Sequence, residues 1–171
     1  EPALFILIGT AAATTGITSF SGMIGYLHHT PHYGLIVAPF VLALLILLQT
    51  EAARVPVDDP MTHLELTMIH EVMILDHSGP ELAAMQYAAA LKMTFYAGLI
   101  ASLLNPFDPW ASPLPAVFTS IVLMAVVGVS VGCIESLTAR LPMRWVPRYI
   151  LLALLAGLGG MLMIGLGGQV A

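Results

Sequence analysis

Residues 2–50 read PALFILIGTAAATTGITSFSGMIGYLHHTPHYGLIVAPFVLALLILLQT, 49 positions without one Asp, Glu, Lys or Arg. A membrane-spanning helix needs roughly 20 predominantly apolar residues, so this run is long enough for two. Its polar interruption, His28-His29-Thr30-Pro31-His32, marks the turn between them. Two more charge-free runs follow, 26 residues at 109–134 and 23 at 149–171. Of the 171 residues only 9% are charged and 58% are hydrophobic, with a mean hydropathy of +0.93. Soluble domains average about 25% charged residues. The composition therefore leaves little room for a soluble globular protein, a nucleic-acid binder or a disordered chain. The apolar segments are too many and too long for a signal peptide.

Working outward from that run, apolar content and breakers predict spans over 3–27, 35–53, 82–104, 115–139 and 149–168. Asn105-Pro106-Phe107-Asp108-Pro109 separates the third from the fourth, and Pro142 and Pro147 separate the fourth from the fifth. The expected fold is an all-α polytopic membrane helix bundle in one membrane domain, 1–171, with about five transmembrane helices and one amphipathic helix on the cytoplasmic side. Small residues recur one turn apart at Gly128/Gly132, Ala153/Gly157 and Ala156/Gly160. Such pairs let helix backbones approach closely in lipid, although membrane helices are glycine-rich in any case. Cys133, the single cysteine, lies between Gly132 and Ile134 and is read as a small membrane residue; with one cysteine, disulfide frameworks and cysteine-ligated clusters are excluded.

Nine of the 15 charges fall between Glu51 and Lys92: Glu51, Arg54, Asp58, Asp59, Glu65, Glu71, Asp76, Glu81 and Lys92. The polar stretch 54–81 holds a predicted helix, 62–77, with Asp59 or Thr62 as N-cap. It carries His63, His70 and His77 on one face and Glu65 and Asp76 on the other. A helix polar on two sides does not face lipid; it lies at the surface or tucks in beside water. His70-Glu71 starts like a zincin motif, but histidines seven apart are separated by about 10.5 Å along a helix axis, too far to share a zinc at about 2 Å. They are read as hydrogen-bond partners or proton carriers, and no metal site is assigned.

Arg54 follows the second span, and Arg140, Arg144 and Arg148 follow the fourth. The positive-inside rule puts both basic loops in the cytoplasm. That is consistent only if 62–77 does not cross. Lys92 sits near the middle of the third span, where an ion costs about 2.5–3.5 kcal/mol on insertion scales. Either it snorkels to the interface, or it is paired in a buried role; at least ten residues from either end of the span 82–104, it fits the second better. Glu135 either joins that chemistry or pairs with Arg140 near the headgroups.

Glu51-Ala52-Ala53-Arg54-Val55-Pro56-Val57-Asp58, closing a membrane helix, resembles the E-x-x-R-x-P-x-D stretch of the H subunit of complex I, the bacterial NADH:quinone oxidoreductase. Thr62 to Glu71 and Leu75-Asp76-His77-Ser78-Gly79-Pro80 are closer to the related membrane subunit of group 4 energy-converting nickel–iron hydrogenases of the formate-hydrogenlyase type. Lys92 and Glu135-Ser136 with Ala139-Arg140 also look like that branch. The resemblance runs through nearly the whole chain and matches the C-terminal part of such subunits, Glu1-Pro2 falling at the start of their fourth span.

The resemblance implies a non-catalytic multi-pass subunit of the cytoplasmic (inner) membrane. It would carry no redox cofactor of its own. The nickel–iron centre and iron–sulfur clusters belong to its partners, a hydrogenase-like large subunit and an iron–sulfur small subunit. Further partners are antiporter-like membrane subunits and the lipid bilayer, not nucleic acid. The candidate ion-relay residues are Glu51, Arg54, Asp58, Glu65, His70, Glu71, Asp76, Lys92 and Glu135. Carboxylates and imidazoles exchange protons, and a buried lysine sets their charge. Two alternatives are a complex I-like subunit that helps form a quinone site and a stand-alone ion channel or carrier. The absence of an inverted repeat counts against the carrier.

Overall fold

The computed structural model describes residues 2–29, 33–52, 78–109, 111–138 and 145–167, with side chains of the last segment described to Leu162. The described residues are helical and contain no strand. The helices are α1 Pro2–Thr15, α2 Phe20–His29, α3 Tyr33–Glu51, α4 Pro80–Leu104, α5 Pro113–Leu137 and α6 Val146–Gly167. Among the described residues α3, α4 and α5 are each long and apolar enough to cross a membrane, and the bent pair α1 and α2 adds a fourth if it is one broken span rather than a re-entrant loop. In α6 the described apolar helix covers Val146–Leu162. The chain is an all-α membrane helix bundle. The predicted helix 62–77 lies outside the described residues.

The starts and stops have simple causes. Pro80 opens α4 and Pro113 opens α5, at positions where a missing N–H breaks no helical bond. Asn105 is extended ahead of Pro106, which disfavours helix in the residue before it. Its side chain fastens the α4–α5 turn: Nδ2 donates to the Ala116 carbonyl and to Ser120 Oγ, each at 2.9 Å, and Oδ1 accepts from Phe107 N at 3.0 Å.

One expectation needs correction. A continuous helix over 3–27 does not form. The chain breaks at Gly16–Ser19, and α1 and α2 are bent by 57°. Gly16 takes a left-handed φ of 69° and closes α1 with a hydrogen bond to the Ala12 carbonyl. Thr14 and Thr15 hydroxyls bond back to the Thr10 and Ala11 carbonyls, a habit that bends helices. The break is a matter of backbone geometry, to which apolar content is blind.

Across the bundle the helices run in the order α1, α6, α3, α4, α5, with α2 against α1 and α3. The core centres on α3, whose Leu44, Leu47 and Leu48 are fully buried with Leu7, Ile100 and Leu103. Half of the apolar stretch of α3 is buried (50%) but only 11% of that of α5, which forms the edge. Close approach occurs at α6. A Cβ at Gly160 would stand 3.1 Å from the Ile36 carbonyl oxygen and 3.1 Å from Pro39 Cγ, and one at Gly157 would collide with Leu7 Cδ2. The small-residue spacing of α6 is therefore a packing device. That of α5 meets no neighbour among the described residues, none of which lies within 4 Å of a Cβ at Gly128 or Gly132.

Candidate functional site

α3 and α4 run antiparallel, joined by polar contacts at both ends. At one end the Tyr33 hydroxyl donates to the Leu103 carbonyl and lies 3.4 Å from His28 Nε2, with the two rings stacked at 4.6 Å. At the other end Lys92 Nζ stands 3.5 Å from Glu51 Oε2. Tyr33 to Glu51 rises about 27 Å along a helix, and Leu103 to Lys92 about 16 Å. The side chains close this difference, Lys92 reaching toward the end of α3 and Glu51 reaching back. Lys92 is the thirteenth of 25 residues in α4, yet its charge is delivered to the level where α3 stops.

The Glu51 side chain is 19% exposed and that of Lys92 48%. With water at the pair the attraction is worth about 1 kcal/mol or less. Where lipid or protein covers it, an effective dielectric near 20 raises the Coulomb energy toward about 4 kcal/mol. The pair is thus sensitive to hydration and to the protonation of Glu51.

Beside it, between α4 and α5, opens a cleft of about 440 Å³ whose walls include Ala52, Gln86, Ala89, Met93, Thr94 and Met124. Ala52 follows Glu51 and Met93 follows Lys92 in the chain, although neither charged residue lines the cleft. Small side chains on α4 make the space, and Gln86 and Thr94 supply polar atoms to an otherwise apolar wall.

A second polar contact lies on the opposite face of the same turn of α3. The Tyr149 hydroxyl of α6 donates to Gln49 Oε1 at 2.6 Å. Gln49 is fully buried, and its Nε2 finds no acceptor among the described residues. Sequence reading passed over both residues. The available signal was an amide in a charge-free helix, where each polar atom must find a partner inside the protein.

Of the predicted relay residues, the structure brings Glu51 and Lys92 together. Glu135 is half-buried near the end of α5. Arg54, Asp58, Glu65, His70, Glu71 and Asp76 lie outside the described residues. Among the described residues no three His, Cys, Asp or Glu side chains are grouped to hold a metal.

The ends of the helices bear on topology. α3 ends and α4 begins at the same end of the bundle, as expected if the chain between them does not cross. The Asn105 turn makes α4 and α5 antiparallel, so α5 also ends there. Gln49 and Tyr149 place the start of α6 at that end too. The positions preceding Arg54 and Arg140 thus share one side. Comparison with protein-family models, with curated proteins and with solved structures finds no match.

Proposed function

We propose that this chain is the membrane anchor and coupling subunit of an energy-converting, respiratory-type hydrogenase complex in the cytoplasmic membrane. Redox chemistry would take place in a peripheral arm holding the nickel–iron centre and iron–sulfur clusters. The chain would link it to proton or sodium movement through antiporter-like neighbours. The observation that carries this reading is the Glu51–Lys92 pair: it joins the acidic terminus of the E-x-x-R-x-P-x-D helix to the lysine in the middle of the next span. A proton on Glu51 cancels its attraction for the ammonium. A change at the cytoplasmic end is thereby passed to a charge held on a membrane helix.

The cleft beside the pair favours a second reading, a quinone-site subunit of a complex I-like enzyme; apolar clefts of several hundred Å³ with a few polar groups are the usual form of ligand sites. Affinity purification of the tagged chain from its native membrane separates the readings. The first predicts co-purifying hydrogenase-like large and iron–sulfur small subunits, with redox-driven ion uptake in inverted vesicles that needs no quinone. Quinone-dependent turnover would favour the second. Ion conductance by the chain alone, with no associated redox subunits, would overturn both in favour of a channel.

A further inference from the structure

The start of α6 carries a charged and aromatic pair above a long apolar stripe. The Arg148 guanidinium lies over the Trp145 ring, 4.6 Å from its centroid. One helical face continues from Arg148 through Leu151, Leu152, Leu155, Gly159 and Leu162. The four leucines are 51–66% exposed, and among the described residues no atom lies within 4 Å of a Cβ at Gly159. The opposite face, with Ala153, Gly157 and Gly160, is the one packed on α1 and α3. From Arg148 to Leu162 the stripe descends about 21 Å, past the midplane of a hydrocarbon core about 30 Å thick.

We propose that this face binds an anionic glycerophospholipid, its phosphate on Arg148 and an acyl chain along the leucines. Charge complementarity selects this occupant. Arg148 is the last of three arginines, with Arg140 and Arg144, in the loop that the sequence assigns to the cytoplasm, where basic clusters at the membrane surface recognise anionic lipid. The Trp145 ring attracts and steadies the guanidinium above it, whose N–H groups can meet a phosphate oxygen pair. Trp145 sits at the start of the helix, the level at which tryptophan anchors to the interface. The track below offers only apolar contact, and the notch at Gly159 lets a chain lie close to the backbone.

The test is native mass spectrometry of the purified protein, in its native assembly, with phosphatidylglycerol or phosphatidylethanolamine added. A photo-cross-linking residue at position 155 is used in a parallel sample from intact membranes. Wild-type protein should retain phosphatidylglycerol in preference to phosphatidylethanolamine. Arg148→Gln should lower retention of phosphatidylglycerol by about fivefold, the worth of one surface cation at the membrane, and leave the other lipid unchanged. Arg148→Lys, which keeps the charge without the paired N–H groups, should restore part of the preference, which a folding defect at this position would not do. The cross-linker at 155 should label lipid. Equal retention of the two lipids by the wild type, or unchanged phosphatidylglycerol retention in Arg148→Gln, would overturn the proposal. So would a protein adduct at 155 in place of lipid, which would make the stripe a helix–helix interface.

Discussion

Gln49 and Tyr149 show how one buried amide can matter more than its neighbours. The hydroxyl donates to Oε1 across the α3–α6 contact, in a setting without water to replace it. Tyr149→Phe takes away the donor to the amide oxygen, and a stranded buried polar atom costs about 1–3 kcal/mol. Gln49→Met strands the tyrosine hydroxyl at a similar cost. Changing both removes the polar atoms together and should recover most of the loss. Thermal unfolding in detergent of the two single variants and the double one checks this; additive losses would show that the pair is not a unit. The sequence made these two residues hard to pair because they are 100 positions apart. Lys92 was legible in part: a mid-span cation announces its need for a partner, and Glu51 stands 3.5 Å away, but the expected burial does not hold within this chain, where the lysine side chain is 48% exposed.

At the scale of helices, charge-free runs reveal where apolar segments lie, while glycine geometry decides how they are cut and packed. Gly157→Ala should weaken folding or assembly, because the new methyl group meets Leu7 and overpacking costs about 1–3 kcal/mol. Gly128→Ala and Gly132→Ala, which meet nothing among the described residues, should leave the thermal midpoint unchanged or raise it, alanine being the better helix former. The same spacing in sequence thus predicts opposite outcomes, and what separates them is the neighbour each helix acquires only in the fold. Gly16→Ala belongs here too. Its φ of 69° disfavours any side chain by about 1–2 kcal/mol, so the variant should unfold at a lower temperature. An unchanged midpoint would mean that α1 and α2 straighten into one helix at little cost.

For the whole molecule, the central consequence of the fold is that α3 ends, α4 and α6 begin, and α5 ends at one end of the bundle. Single-cysteine labelling of intact cells and inverted vesicles should therefore find positions 58 and 143 on the same side, with Asp108, in the α4–α5 turn, on the other. The positive-inside pattern made this readable from four arginines. The lateral order of helices was not readable, because lipid-facing and protein-facing leucines have the same composition. Function rests on whether the Lys92 charge takes part in coupling. The most direct test is ion translocation per electron pair by the assembled complex carrying Lys92→Met, which keeps side-chain length and removes the charge. Assembly and redox turnover of the peripheral arm should persist. Translocation should fall by about fivefold or more, the scale of a coupling free energy of 1–3 kcal/mol, with Glu51→Gln moving it in the same direction. A fully assembled Lys92→Met complex that translocates as many ions per electron pair as the wild type would contradict the account.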